Sequence, residues 1–116
     1  MSFIKEFRQD LSFDERKKES EHLKKKYPDR FPIICETHGE LKIDKNKYLL
    51  PKIMEFGNFV HLLRKKIKLS PNEGLFCFSE NNKMFSMRSS ISEIYTEYKS
   101  EDGFLYMIIT KENTFG

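Results

Sequence analysis

The sequence predicts a single α+β domain, in which four strands form one sheet and four helices pack on it. The chain of 116 residues is long enough for one hydrophobic core. Short runs rich in β-branched and aromatic residues alternate with stretches of helical periodicity. The last of these runs, FLYMIIT, is almost continuously apolar, which is typical of a central strand covered on both faces.

Two helices are predicted over residues 1–26. The apolar residues of FIKEF have the i, i+1, i+4 spacing of a short helix. Ser12 and Glu15 have the spacing of a capping box, so a second helix is expected over residues 12–26. Because apolar positions in this helix are few, we expect residues 1–26 to form an extension that packs on a separate core, formed by residues 27–116.

A hairpin and an amphipathic helix are predicted next. RFPIICE (residues 30–36) and KYLLP (Lys47–Pro51) have strand composition. Pro51 has no N–H to donate to a ladder, which fits the end of an edge strand. In FGNFVHLLRKKIKL, a helix that packs on the sheet is predicted from the apolar positions Phe59, Leu62, Leu63 and Ile67.

The remaining elements complete a recognisable order. LFCFS (residues 75–79) is a predicted strand, and Ser90 with Glu93 gives a second capping box for a helix ending near Lys99. FLYMIIT (residues 104–110) is the last strand, and a right-handed crossover brings it beside the first strand. Hairpin, crossover helix, strand, short helix and central strand is the β-grasp arrangement of ubiquitin-like domains.

Composition and motifs argue against several function classes. The net charge of +3 does not by itself indicate a nucleic-acid partner. No apolar stretch approaches the roughly 20 residues of a membrane span, and the charged N-terminus is unlike a secretory signal. Cys35 and Cys77 lie in apolar runs typical of buried thiols, and no cysteine and histidine spacing suits zinc. We therefore expect neither an enzyme nor a metal or cofactor site.

The basic runs LKKKYP and RKKIK leave one further alternative open. Such runs bind anionic lipid or nucleic acid in some proteins, but here they lie on predicted polar or amphipathic helices, where charge faces water. An RNA-binding α/β domain is the alternative reading of the fold. The chain lacks the glycine and aromatic signature of an RNA-recognition sheet, and its strand order begins with a hairpin.

Six stretches carry a resemblance to a known family: FDERKKES, KYPDRFPIICE, DKNKYLLP, FVHLLRKKIKL, IYTEYKSEDGFLY and ENTFG. They cover nearly the whole chain in order, and together they resemble the ubiquitin-like autophagy modifiers, the GABARAP-type family. The resemblance implies a ubiquitin-like β-grasp fold with two additional N-terminal helices. It also implies a protein that is a substrate of enzymes, with no catalytic residues and no cofactor of its own.

The resemblance implies that Gly116 is the conjugated residue. Activating and conjugating enzymes would transfer its carboxyl group to phosphatidylethanolamine, and a cysteine protease would process a precursor and remove the lipid. Glycine suits this role because a residue without a Cβ allows close approach to its carbonyl group, while Phe115 would anchor the exposed tail to partners. The implied location is the cytoplasm, and the autophagosome membrane after lipidation. A ubiquitin-like adaptor that binds peptides without conjugation is the alternative.

The resemblance also implies a groove along the KYLLP edge strand, which receptors and adaptors with aromatic-x-x-aliphatic motifs would extend by one strand. The implied aromatic pocket consists of Glu19, Leu23, Pro32, Ile34, Lys47, Leu49 and Phe104. The implied aliphatic pocket consists of Tyr48, Leu50, Pro51, Met54, Phe59 and Leu62. Arg30, Lys45 and Lys66, together with Lys47, would attract acidic residues beside the motif. Lys47 and Glu19 would either gate the aromatic pocket or form an ordinary surface ion pair.

Overall fold

The computed structural model describes residues 2–111, which form four helices and four strands. The helices are α1 (Phe3–Asp10), α2 (Phe13–Lys26), α3 (Phe56–Ile67) and α4 (Ile91–Tyr98). The strands are β1 (Arg30–His38), β2 (Lys47–Pro51), β3 (Phe76–Ser79) and β4 (Leu105–Thr110). Every predicted element is present, and the predicted ends lie within two residues of the observed ones, except that α1 runs three residues beyond FIKEF. None of the helices within residues 2–111 combines the length and apolarity that a membrane span requires.

The four strands form one mixed sheet in the order β2-β1-β4-β3. β1 pairs with β2 in antiparallel fashion and with β4 in parallel, while β3 pairs with β4 in antiparallel fashion. The last strand therefore lies beside the first, as the crossover rule predicts. β4 is a central strand and β2 is an edge strand, so both predictions are confirmed.

Both faces of the sheet are covered. On one face, Leu105, Met107 and Ile109 of β4 join a large cluster that also contains Phe59 and Leu63 of α3. On the other face, α1 and α2 cover a smaller cluster, in which Ile4 and Phe7 meet Ile34, Phe104 and Tyr106. Alternation along β4 supplies both clusters from one apolar run, which is why the run lacks the polar positions of a half-exposed strand.

A buried carboxylate fastens α2 to the turn before β4. Asp102 is 1% exposed, and its carboxylate accepts hydrogen bonds from Arg16 Nε at 3.0 Å and from the Tyr106 hydroxyl at 2.5 Å. The hydroxyl of the buried Ser20 donates to the Asp102 carbonyl oxygen. Burial and Asp102 together raise the pKa of Tyr106. Because every buried polar group here has a partner, the network fixes α2 on the sheet at a single position.

The helix starts follow the sequence closely. In both predicted capping boxes the serine hydroxyl accepts from the glutamate N–H and the glutamate accepts from the serine N–H, at Ser12 with Glu15 and at Ser90 with Glu93. α1 is anchored differently, by the carboxylate of the buried Glu36, which accepts from Ile4 N–H at 2.8 Å and from the Ser2 hydroxyl. Burial alone would raise the pKa of Glu36, but these bonds and His38 hold it below its ordinary value.

Candidate functional site

Two residues of β2 present their backbone polar groups to the free edge of the sheet. Cys35 N–H donates to the carbonyl oxygen of Asn46 across 2.7 Å, which makes this a hydrogen-bonded pair of the β1–β2 ladder. Such pairs alternate with non-hydrogen-bonded ones in an antiparallel ladder, so the register places Lys47 and Leu49 in non-hydrogen-bonded pairs. Their N–H and C=O groups therefore point away from β1, toward the side where an added strand would pair.

One acceptor on this edge already has a side-chain partner. Arg30 Nη1 donates to the carbonyl oxygen of Leu49 at 2.9 Å. A side chain laid along an edge strand is a usual way of protecting it from unwanted pairing. The sequence assigned Arg30 to the acidic residues beside a motif, and the structure also places it on the edge itself. An incoming strand would have to replace this hydrogen bond.

Side chains from β2 alternate between the two faces of the sheet. Lys47 and Leu49 lie opposite Ile34 and Pro32, on the face covered by α1 and α2. Tyr48 and Leu50 belong to the cluster on the α3 face. In a strand added beside β2, an aromatic residue and an aliphatic residue three positions later would likewise face opposite sides, because three is an odd step. The residues of the two predicted pockets therefore lie on the two faces of the sheet toward which the aromatic and the aliphatic side chain of such a motif would point.

Part of the predicted aromatic pocket consists of core residues. Ile34 and Phe104 are 0% and 1% exposed, so they form the floor of the pocket as core residues. The ring of Phe7 in α1 meets the Phe104 ring edge to face, with centroids 5.4 Å apart, and covers this floor. Leu23 of α2 packs against the same cluster. Phe7 was not among the predicted pocket residues, because its apolar spacing predicts a helix without saying which surface that helix covers.

A charged pair lies over the aromatic pocket. Lys47 Nζ is 3.2 Å from Glu19 Oε1 and 4.9 Å from the centre of the Phe7 ring. The two side chains are 49% and 33% exposed. Solvent screens a pair this exposed, which contributes under ~1 kcal/mol. Lys47 and Glu19 can therefore separate at little energetic cost.

The residues of the predicted aliphatic pocket lie in β2, in α3 and in the segment between them. Tyr48, Leu50 and Phe59 are buried in the large cluster, and the Tyr48 and Phe59 rings meet edge to face at 5.2 Å. Met54 packs against this cluster, and Pro51 is half-buried.

The exposure of Leu62 contradicts its predicted position on the buried face of α3. The sequence placed it on the buried face of α3, but the structure leaves it 46% exposed. The buried positions of α3 are spaced i, i+3, i+4, i+7 (Phe56, Phe59, Val60 and Leu63), which leaves Leu62 at the border of the buried arc. Phe59 and Lys66, on either side of it along α3, both contact the Tyr48 ring, so Leu62 lies beside β2 and accessible.

Cations surround Tyr48 at the end of the groove. Lys45 Nζ and Lys66 Nζ lie 5.1 Å and 5.4 Å from the centre of its ring. They border a depression of about 210 Å³ that Lys42 and Asp44 also line. Burial, with smaller contributions from Cys35 and Asp44, raises the pKa of Tyr48 to about 12. The resemblance implied a role for Lys45 and Lys66 but not for Lys42, which the loop after β1 brings to the same depression.

The two thiols are unsuited to chemistry. Cys35 and Cys77 are free and buried. Burial raises the pKa of Cys77 to about 12 and raises that of Cys35 as well. His38, the nearest imidazole in sequence to Cys35, is instead paired with Glu36, with Nε2 and Oε2 2.5 Å apart. Within residues 2–111, no three side chains of metal-ligating type converge.

Comparison with known proteins identifies the family. A family profile described as "Autophagy protein Atg8 ubiquitin like" matches residues 15–116. This chain belongs to the Atg8 family. It is 46% identical to Autophagy-related protein 8 of Schizosaccharomyces pombe, over 96% of this chain and 93% of that one. It is 42% identical to Autophagy-related protein 8h of Arabidopsis thaliana, over 97% of each chain.

A solved structure supports the same conclusion. The crystal structure of Trypanosoma brucei ATG8 superposes with a TM-score of 0.83 and 34% sequence identity, over 95% of this chain and 97% of that one. The predicted α+β, ubiquitin-like fold and the predicted family are thereby confirmed. As a member of the Atg8 family, the chain is an autophagy-related ubiquitin-like protein.

Two predicted site residues of this Atg8-family chain, Phe115 and Gly116, lie outside the described residues. β4 ends at Thr110, and Lys111 is the last described residue. The candidate site among the described residues is thus the β2 edge, with the residues of the two predicted pockets on opposite faces of the sheet.

Proposed function

We propose that this protein is a modifier conjugated through Gly116 to phosphatidylethanolamine on autophagosomal membranes, where its β2 edge recruits autophagy receptors and adaptors. The proteins it would bind carry aromatic-x-x-aliphatic motifs. Activating and conjugating enzymes would attach it, and a cysteine protease would process and release it. The protein itself would remain in the cytoplasm until lipidation.

The observation that carries the receptor-binding part is the geometry of β2. Lys47 and Leu49 direct backbone donors and acceptors outward, which provides the pairing that β-augmentation needs. Apolar surface lies on both sides of this edge, at Leu23 on one face and Leu62 on the other. A peptide strand whose aromatic and aliphatic residues are an odd number of positions apart fits this arrangement.

The charges around the groove support the same kind of ligand, a peptide strand with an aromatic-x-x-aliphatic motif. Lys42, Lys45 and Lys66 lie together around Tyr48, and only Asp44 among the residues lining that depression carries an opposing charge. A positive end to the groove attracts acidic residues that flank a motif, and it raises the association rate more than the affinity. The attraction weakens as salt screens it over roughly 8 Å at physiological ionic strength.

The conjugation part rests on family membership and on the chemistry of the terminal residue. The tail begins directly after β4, which is hydrogen-bonded to a strand on each side. Each CH₂ group that a lipid buries contributes about 0.8 kcal/mol, so two acyl chains hold a protein on a membrane stably. Lipidation would thus give membrane attachment to a chain without a spanning helix in its described part.

Conjugation is tested by reconstitution. The protein is incubated with activating and conjugating enzymes of the family, ATP and liposomes that contain phosphatidylethanolamine. We expect a mass increase equal to one phospholipid less water, located at Gly116, and no increase with liposomes of phosphatidylcholine alone. Failure of the unaltered protein to gain lipid, while a known family member does so in parallel, would leave the unconjugated adaptor as the function.

Receptor binding is tested with a matched pair of exposed apolar residues. Leu62 borders the aliphatic pocket, whereas Met84 is 53% exposed beside β3, at the other edge of the sheet. We expect Leu62→Ala to weaken binding of an acidic-flanked aromatic-x-x-aliphatic peptide about tenfold, which corresponds to about 1.4 kcal/mol. Met84→Ala should bind like the unaltered protein. Equal affinities for the two variants in calorimetric titration would show that the peptide does not use this groove.

A further inference from the structure

The free edge of β2 is not equally open along its length, and we propose that Arg30 selects the peptides that pair with it. We define the Arg30 latch as the hydrogen bond from Arg30 Nη1 to the carbonyl oxygen of Leu49. In this proposal a carboxylate at one position of the incoming motif binds the guanidinium, and the Leu49 carbonyl is then free to accept from the peptide backbone. The inference rests on the proposed function, because it names the peptides that the β2 edge prefers.

The part of this edge that is available for pairing is short. Lys47 and Leu49 direct their N–H and C=O groups away from β1. Pro51, the next residue with the same orientation, has no N–H to donate, and its carbonyl oxygen already accepts from Met54 N–H at 3.2 Å. The Arg30 latch therefore occupies one of the two carbonyl groups with which Lys47 and Leu49 could hold an added strand.

The Arg30 side chain crosses β2 on the face of the predicted aromatic pocket. Because side chains alternate along a strand, Arg30 shares a face of β1 with Pro32 and Ile34. These two residues lie opposite Leu49 and Lys47, on the face covered by α1 and α2. An added strand therefore meets the guanidinium with those side chains that point toward the aromatic pocket.

The position of the carboxylate in the motif follows from the order of the two predicted pockets along β2. The aromatic pocket takes Lys47 and Leu49 from β2, whereas the aliphatic pocket extends to Pro51 and to Met54 beyond the end of the strand. A motif whose aliphatic residue follows its aromatic residue therefore runs in the same direction as β2. The residue two places after the aromatic one faces the same side and lies nearer to Pro51, the residue opposite Arg30. The favoured motif is thus aromatic-x-acid-aliphatic.

The Arg30 guanidinium is available to such a carboxylate. None of the ion pairs within residues 2–111 involves Arg30. A guanidinium has five N–H donors and binds a carboxylate through two parallel hydrogen bonds. A charged group that accepts two hydrogen bonds is a stronger partner than the single carbonyl oxygen of Leu49. Transfer of the guanidinium from Leu49 to the peptide is therefore favourable, and it returns an acceptor to the edge.

A peptide without this carboxylate meets a closed latch. Its backbone N–H has to displace the guanidinium from the Leu49 carbonyl or remain unpaired, and a polar group that loses water without gaining a partner is unfavourable. The latch thus weakens the binding of neutral motifs as well as adding a contact for acidic ones. Simple attraction between a surface cation and an acidic peptide does only the second. The two mechanisms therefore predict different effects on neutral peptides when Arg30 is replaced.

The experiment titrates three peptides that differ only between the aromatic and the aliphatic residue, where they carry Gln-Glu, Glu-Gln or Gln-Gln. We expect the unaltered protein to bind the Gln-Glu peptide about tenfold more tightly than the Glu-Gln peptide, which has the same composition and charge. In Arg30→Met, which keeps an apolar stem without the charge and the donors, this preference should fall below about twofold. The Gln-Gln peptide should bind Arg30→Met about threefold more tightly than the unaltered protein.

Lys66→Met is the matched control, because it removes the same charge beside Tyr48 without changing the edge. It should weaken the binding of both Glu-containing peptides and leave that of the Gln-Gln peptide unchanged. If the Gln-Gln peptide binds Arg30→Met no more tightly than the unaltered protein, the latch is refuted and Arg30 is one more cation beside the groove. Equal affinities of the Gln-Glu and Glu-Gln peptides for the unaltered protein would refute the assigned position of the acid.

A spectroscopic measurement tests the latch without any peptide. The carbonyl-carbon NMR signal of Leu49 should move upfield in Arg30→Met, because the carbonyl loses a hydrogen bond, and it should stay in place in Lys66→Met. An unmoved signal in Arg30→Met would refute the latch directly. If the signal moves but none of the three peptides binds the unaltered protein, the receptor-binding part of the proposed function falls, and the selection of peptides falls with it. The hydrogen bond would then stand only as protection of an edge strand.

Discussion

The turn that precedes β4 gives a sharp test of how α2 is held on the sheet. Gly103 has a φ of +88°, and a Cβ added there would lie 2.3 Å from the hydroxyl oxygen of Ser20 and 3.1 Å from its Cβ. Ser20 is fully buried on the inner side of α2. Because Ser20 is buried and the clash includes its Cβ, Gly103→Ala must displace the Ser20 side chain, the turn or the helix.

The expected loss of folding stability in Gly103→Ala has two contributions. A side chain in the left-handed region costs roughly 1–2 kcal/mol. Displacing the Ser20 hydroxyl removes its hydrogen bond to the Asp102 carbonyl, and an unsatisfied buried acceptor costs about 1–3 kcal/mol. We therefore expect Gly103→Ala to lower the free energy of unfolding by about 2–5 kcal/mol.

Gly39 provides a matched control within the same chain. Its φ is +78°, but nothing lies within 4 Å of an added Cβ. Gly39→Ala should therefore cost only the backbone contribution of about 1–2 kcal/mol. The difference between the unfolding free energies of the two variants measures the contribution of the contact between α2 and the turn.

The assay is urea unfolding followed by far-ultraviolet circular dichroism, since the chain has no tryptophan. Peptide titration of the folded variants gives a second readout, because α2 carries Glu19 and Leu23 beside the aromatic pocket. We expect Gly103→Ala to weaken peptide binding and Gly39→Ala to leave it unchanged. Unfolding free energies for the two variants within about 0.5 kcal/mol of each other, the usual spread for neutral surface changes, would refute the close packing of α2.

Three further predictions concern the carboxylate under α1, the thiols and the aromatic pocket. Because hydrogen bonds hold the pKa of Glu36 below its ordinary 4.5, its stabilising effect is present above that pH and is lost as the pH falls through the lowered value. Glu36→Gln should therefore destabilise the protein by about 1.5–3 kcal/mol at neutral pH, and by progressively less in urea melts below pH 4.5. Cys35 and Cys77 should resist a thiol reagent in the native state and react in urea, because both are buried. Leu23→Ala should enlarge the aromatic pocket and change the affinity of the aromatic motif residue, as measured by peptide titration.

Each of these has a result that contradicts it. A Glu36→Gln penalty that stays constant down to acid pH would mean that the carboxylate charge does not anchor α1. Rapid native-state modification of either thiol would contradict its burial. Equal peptide affinities for Leu23→Ala and the unaltered protein would remove α2 from the binding site.

Local chemistry explains why the sequence predicted so much of the fold. A capping box joins groups three residues apart, so the starts of α2 and α4 can be read from SFDE and SISE directly. The apolar run of β4 requires cover on both faces, which makes this strand central. Pro51 has no N–H to donate to a neighbouring strand, which is why the sequence predicted β2 at an edge of the sheet.

The details of the candidate site depend on contacts that periodicity does not contain. The exposure of Leu62 follows from which arc of α3 meets the sheet. Phe7 covers the floor of the aromatic pocket because α1 docks across β1 and β4. Arg30 reaches the free edge only because β2 passes alongside it in this register.

The sequence by itself determined the elements and their order, because these rest on hydrogen bonds within a few residues or on an apolar period. The family followed from the resemblance of six stretches along the chain. Only the tertiary structure decided how the N-terminal helices are locked to the sheet. Arg16 meets Asp102 across 86 positions of the chain, and Arg8 meets Glu80 across 72. Charged residues occur throughout this sequence, so the sequence alone does not say which of them pair. Folding of the sheet brings distant residues together, and burial and geometry then determine the pairs.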